Sequence, residues 1–282
     1  MLYIQIGGII MERDNREGGL KLKGDYAQPS SGYDQSTFGR TYDAPYSYDG
    51  ASNSESYQNS VFVMDDTVTG IMTGAFMFMF MALMVTGITA FLTAASDAMM
   101  YTLLSNSVTF YLLFGIEFAV VFGANAAMKH NNVVLSAVLF FVYAVVNGLT
   151  LSVIFFAFQL SSIQTAFFST AVIFGLMALV GKITHKDLSS FGSILMVGLI
   201  GSIIVSLINI FIGSSMLDTG ICVITIIIFM GLTAYDTQKI ERMATDNAGY
   251  SPMVISLWGA MELYLDFVNL FLRILSLFGK RK

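Results

Sequence analysis

The sequence predicts an all-α membrane protein with seven transmembrane helices, and two observations carry that prediction. Over 282 residues, 55% are apolar and only 12% are charged, with a mean hydropathy of +0.71; a soluble domain carries roughly 25% charged residues. From Thr67 onward, apolar runs long enough to cross about 30 Å of hydrocarbon as helices follow one another with short gaps. They lie at about 67–95, 102–127, 133–158, 162–181, 190–212, 219–238 and 253–278. Short gaps make neighbours in sequence antiparallel neighbours in space.

Residues 1–64 read as a disordered cytoplasmic tail, and residues 65–282 as the seven-helix domain. Residues 1–10 are apolar but too short to span, without the basic leader and small-residue cleavage site of a signal peptide. Met11-Glu12-Arg13-Asp14 resembles an ordinary start, which makes the first ten residues a candidate misassigned leader. Residues 12–60 are rich in Gly, Ser, Asp and Tyr, with Tyr-Asp recurring at Tyr33-Asp34, Tyr42-Asp43 and Tyr48-Asp49. Aliphatic residues are nearly absent there, so nothing offsets the entropy of ordering. The competing reading of the tail is a docking motif.

Span one crowds Met72, Met77, Met79, Met81 and Met84, which suits soft gap filling; a copper pathway would want regular spacing with Cys or His. Span two holds a lone carboxylate, Glu117. Span five carries Gly198, Ser202 and Ser206 at one-turn intervals, a spacing that lets helix backbones approach closely. The single cysteine, Cys222, excludes an intrachain disulfide. His130 and His185, each between polar residues, cannot build the His-rich site of an intramembrane zinc hydrolase. A net charge of -5 without a basic block argues against a nucleic-acid partner.

Lys and Arg set the expected orientation. Loops after spans two, four and six carry Lys129, then Lys182 and Lys186, then Lys239 and Arg242, while the other loops carry only Asp97 and Asp218. The even loops and the N-terminus are therefore expected in the cytoplasm. Seven full crossings then leave Lys280-Arg281-Lys282 outside, against the rule, so either these residues are an exception or the last segment re-enters.

An ionised carboxylate inside a bilayer is costly unless it faces a partner or water, so its default reading is a site. Asp236 ends span six, and Asp266 interrupts span seven. Along span seven Glu262, Asp266, Asn269 and Arg273 step by four, three and four residues and so share one stripe. With Ser251 as cap and Pro252 as first residue, the 27 residues to Phe278 make about 40 Å of helix. That exceeds the hydrocarbon by about two turns, so the helix can protrude into the cytosol and bring Asp266 toward the level of Asp236. At hydrogen-bond distance the two cannot easily both ionise, and they share a proton. Protonated once, the pair bridges helices six and seven; deprotonated, it repels them and exposes oxygens suited to calcium. The competing reading pairs Asp236 with Lys239 and Asp266 with Arg273. Glu117 is either a pathway carboxylate or a protonated donor.

At these residues the chain resembles the Bax-inhibitor family of membrane proteins (the transmembrane Bax inhibitor motif family), specifically its bacterial branch. The resemblance rests on Tyr235-Asp236-x-Gln238 ending span six, on Leu263-Tyr264-Leu265-Asp266-Phe267-Val268-Asn269-Leu270-Phe271, on Lys186-Asp187-Leu188-Ser189 before span five, and on Glu117. It covers about residues 67–279. It implies seven helices with the last one central in the bundle, and a pH-sensitive calcium leak in the bacterial plasma membrane, with calcium as transported ion and no cofactor. It also implies that Asp236 and Asp266 form the pH sensor and meet the metal ion, and that Glu117 is the intramembrane glutamate of the ion path, where the stripe residues Glu262 and Asn269 also lie. The family's leak proteins place an arginine at the cytoplasmic end of span two, where this chain has Met128 followed by Lys129. Lys129 and Arg273 are the candidate closing counter-charges, and a lysine, lacking a bidentate fork, closes more weakly.

Two other functions compete with the leak. An intramembrane aspartyl protease also sets Tyr-Asp in a sixth span and an aspartate in the seventh, but Leu263-Tyr264-Leu265 is not its Gly-x-Gly and no Pro-Ala-Leu follows. A non-transporting regulator would bind a membrane protease or another membrane protein through the N-terminal tail. A retinal photoreceptor is excluded, because span seven has no lysine for a Schiff base.

Overall fold

A computed structural model describes residues 3–6, 9–13, 20–23, 50–105, 107–184, 186–246 and 249–282, with side chains from Val68 onward apart from residues 104, 107 and 110. The chain divides into two units, Met1–Gly50 and Ala51–Lys282. In the first, strands β1 (Tyr3–Ile6), β2 (Ile9–Arg13) and β3 (Leu20–Lys23) pair antiparallel in the order β1-β2-β3. These strands and the start of the first helix fall in the stretch expected to be a tail. The rest of that stretch, with its three Tyr-Asp pairs, lies outside the described residues.

The second unit is helical: α1 (Gly50–Ala94), α2 (Asp97–Ser105), α3 (Ser107–Lys129), α4 (Val133–Leu151), α5 (Val153–Ala157), α6 (Leu160–Ile183), α7 (Ser189–Ile212), α8 (Ser215–Thr245) and α9 (Pro252–Phe278). Among the described residues six segments are long and apolar enough to cross a membrane: Val68–Ala94, Tyr111–Lys129, Val133–Ala157, Leu160–Ile183, Ser189–Ile212 and Ser215–Thr245. They correspond to the first six expected spans. The second expected span begins as the separate helix α2, and the third is divided at Ser152. There the hydroxyl donates to the Leu149 carbonyl at 2.6 Å, turning back on its own helix.

The seventh expected segment, α9, is not among the six. It is one continuous helix and carries Glu262, Asp266, Asn269 and Arg273. Sixteen of its 27 residues are buried, against only Gly192 and Ser202 on α7, so α9 is lined by protein and α7 faces outward. Lipid is as apolar as leucine and gives no hydrophobic drive between helices, so close packing must hold this bundle. Leu257, Leu263, Tyr264 and Leu270 are fully buried. The Tyr264 ring meets Phe140 and Tyr143 of α4 edge-on, with centroids 5.8 and 5.7 Å apart. Phe267 meets Phe167 and Phe174 of α6, each at 5.4 Å. The small-residue spacing on α7 serves packing on α8: a Cβ at Gly198 would meet Ile228 at 3.3 Å.

The ends of α9 are fixed. Ser251 caps it, accepting from the Val254 amide at 3.3 Å, and Pro252 opens it. The Ser251 amide donates to Asn131 Oδ1 at 2.8 Å, which ties this end to the α3–α4 turn. At the other end the Lys280 amide donates to Ser162 Oγ, the Gln159 amide to the Lys280 carbonyl and the Lys282 amide to the Ala157 carbonyl, each at 3.0 Å. The last helix therefore runs from the α3–α4 turn to the α5–α6 junction. Between these two ends it is one continuous helix, without a break that would turn it back.

Candidate functional site

Helix α8 continues about two turns past its expected end at 238, and the candidate side chains lie along its last four turns. Thr233 and Thr237 return their hydroxyls to the carbonyls of Phe229 and Thr233, at 2.8 and 2.7 Å, and so are satisfied within their own helix. Asp236 follows, half-buried, and faces α9.

The carboxyls of Asp236 on α8 and Asp266 on α9 lie close enough to act on one another, with Thr233 beside Asp266. Asp266 is 4% exposed and its Oδ2 has no partner. A carboxylate only accepts, so two carboxyls can bond to one another only when at least one proton lies between them. Glu262, one turn before Asp266, bonds Lys239 Nζ at 2.5 Å, and both act electrostatically on Asp236. The competing pairing therefore fails in its main parts. Lys239 binds Glu262, and among the described residues no ion pair joins Arg273 to Asp266.

The remaining expected site residues lie elsewhere. Asn269, half-buried, turns its side-chain amide back to the Leu265 carbonyl at 2.8 Å. Lys129 is exposed and joins no ion pair among the described residues, while Met128 beside it is fully buried. Neither candidate counter-charge, Lys129 nor Arg273, closes on the aspartates.

Glu117 belongs to a second polar cluster. It is in hydrogen-bonding contact with Thr150 and acts electrostatically on Tyr143 and Tyr264. Thr86 donates to the Ala144 carbonyl at 2.8 Å, so the 2.7 Å contact with Tyr264 is donated by the tyrosine. Asn147 donates to the Tyr143 hydroxyl at 3.2 Å. Glu117 Oε1 and Asn147 Oδ1 are buried without partners, the state that a water, a proton or a cation relieves. Tyr264 and Asp266, two residues apart, point to nearly opposite sides of α9, so the helix separates the two clusters. Sequence reasoning missed Thr86, Tyr143, Asn147 and Tyr264, since hydroxyls and amides in an apolar helix carry no charge signal.

It also missed a clamp beside the aspartates. Gln238 accepts from the Leu188 amide at 2.9 Å and donates to the carbonyls of Thr184 and Lys186, at 3.0 and 2.9 Å. Arg242 donates to Asp187 at 2.6 Å and also reaches Ser189 and Gln238. Asp187 is held down at about 2, first by the Ser189 amide and hydroxyl and then by Arg242. The two sequence motifs around Gln238 and Asp187 are thus one structural unit. No group of three or more His, Cys, Asp or Glu side chains able to hold a metal occurs among the described residues.

The family described as "Inhibitor of apoptosis-promoting Bax1" matches residues 68–282. The inner membrane protein YbhL of Escherichia coli strain K12 is 39% identical over 207 residues, covering 72% of this chain and 88% of its own length. An uncharacterized protein of Deinococcus radiodurans is 34% identical over 217 residues, 77% of this chain and 93% of its own. Uncharacterized protein RP147 of Rickettsia prowazekii is 34% identical over 227 residues, 77% and 92%.

Proposed function

The chain belongs to the Bax inhibitor family of integral membrane proteins, and from that premise we propose that it is a pH-sensitive calcium leak of the plasma membrane, gated by the proton shared between Asp236 and Asp266. One observation carries the reading: carboxyls of α8 and α9 brought close together in a protein core, with no ion pair to either among the described residues. With the shared proton in place the pair ties α8 to α9. When it leaves, two like charges at contact repel in a poor solvent and drive the helices apart. Glu262 adds to the repulsion and Lys239 offsets it, so the lysine tunes the gate. The freed carboxylates offer oxygens to a hard cation, as a transit contact. Glu117, with Thr150 and Asn147 beside it, is the second oxygen station of the path.

In this reading α9 is a seventh crossing and the central helix, around which the six apolar spans pack. The even loops and the N-terminus lie in the cytoplasm. The departure at Met128 leaves the pair without an arginine latch, and the shared proton is the closing element.

Purified protein in calcium-loaded proteoliposomes tests the gate. Wild type changes its calcium efflux with pH; Asp236→Asn and Asp266→Asn each flatten that dependence. Unchanged pH profiles in both variants reject the sensor. The same carboxyl contact also suits an intramembrane aspartyl protease. Cleavage of a membrane substrate by the purified protein, lost in both variants, would move the assignment there.

A further inference from the structure

A cavity lies at the far end of the bundle from the clamp, where α6 begins and α9 ends, with a volume of about 670 Å³. Its rim is polar, formed by Gln159, Ser161, Ser162 and Lys280, and its inner wall is mainly apolar, with Ile173, Ile226 and Ile274 beside Thr165 and Ser169. Polar rim and apolar wall follow one another along α6 from its start inward, as headgroup and hydrocarbon follow one another in a bilayer.

Charge at the rim is positive on three counts. The strap of residues 280–282 is fixed to the α5–α6 junction by backbone hydrogen bonds to Ala157, Gln159 and Ser162. It sets the Lys280 side chain in the rim, with Arg281 exposed beside it. The third basic residue, Lys282, instead donates to the Phe155 carbonyl at 2.8 Å and caps α5. The 24-residue helix α6 also starts here without a side-chain capping bond from Gln159, leaving the positive end of its dipole open. Neither Asp97 nor Asp218 lines the cavity.

We propose that this cavity between α6, α8 and α9 binds one anionic phospholipid, with the phosphate between Lys280 and the start of α6 and an acyl chain along Ile173, Ile226 and Ile274. A lipid phosphate balances basic residues that otherwise sit at the end of the bundle opposite the other loop cations. The site is independent of the leak and of the aspartate pair.

Lipid retention by the purified full chain, read by native mass spectrometry from mild detergent, tests the site. Phosphatidylglycerol and phosphatidylcholine with the same acyl chains are titrated in parallel. One phosphatidylglycerol stays bound at concentrations where phosphatidylcholine does not. Lys280→Gln weakens its retention on the order of fivefold, the size of one basic charge at a membrane surface, and Ser169→Phe, which fills the cavity from α6, abolishes it. Lys182→Gln at the opposite end leaves it unchanged. Equal retention of the two lipids overturns the proposal with wild type alone, without reliance on any variant folding. Displacement of phosphatidylglycerol by equimolar inorganic phosphate also overturns it, by making the rim a site for free anions.

Discussion

At Gly181 the side chain has no room at all. A Cβ there would run into the backbone carbonyl of Ala234 on α8, and a backbone cannot swing aside. Ala234 lies two positions before Asp236, so this contact sets how near α6 comes to the aspartates. Gly181→Ala should destabilise the fold by about 1–3 kcal/mol, read as a lower midpoint of thermal unfolding in detergent. Gly192→Ala meets the Tyr235 ring at 2.5 Å, a side chain that can rotate, so its stability loss should be the smaller of the two. Both glycines look like ordinary small residues in the sequence. Asp236 and Asp266 were legible because a charge in an apolar run is conspicuous. Their contact was legible only as an argument from helix length, and their actual neighbours were not: Lys239 lies one turn from Asp236 along its own helix yet bonds across to Glu262.

The helix ends show what hydropathy reads and what it misses. Expected bounds of 190–212 and 162–181 come within a few residues of Ser189–Ile212 and Leu160–Ile183, because there the helix stops where the lipid stops. For α8 the expected 219–238 falls short of Ser215–Thr245, since a helix can continue into water once protein holds it. The holding is done by Gln238 and Arg242, which grip Lys186, Asp187 and Leu188 across fifty or more positions of sequence, a distance no local pattern can bridge. The Asp187 carboxyl of this clamp has a depressed pKa, so its contribution is fully present above the unfolded value of about 3.9 and is lost as pH falls through about 2. Hydrogen exchange at the Leu188 and Ser189 amides, corrected for intrinsic rates, should therefore stay protected from pH 7 to about pH 4 and lose protection only in stronger acid. Asp187→Asn should lower that protection at pH 7. Unchanged protection in the variant would assign the grip to Gln238 alone.

At the scale of the molecule, the charge bias of the loops and the course of α9 give one joint expectation. Lys129, Lys182 and Lys239 follow even spans and mark one side of the membrane. Helix α9 starts tied to the α3–α4 turn by the Ser251 to Asn131 bond and ends tied to the α5–α6 junction, so on the expected orientation its ends fall on opposite sides. The terminal basic residues are held at that junction by hydrogen bonds of their backbone, so a full crossing of α9 would set them against the charge rule. Cys222 is buried, so single cysteines at exposed positions can be labelled against a low background. In intact cells a membrane-impermeant maleimide should modify Ser161→Cys and Lys282→Cys together and leave Lys182→Cys unmodified until the membrane is opened. Labelling of Lys282→Cys in step with Lys182→Cys would mean that the last helix does not cross, and with it would go the central position of α9 and the inward path between the two polar clusters.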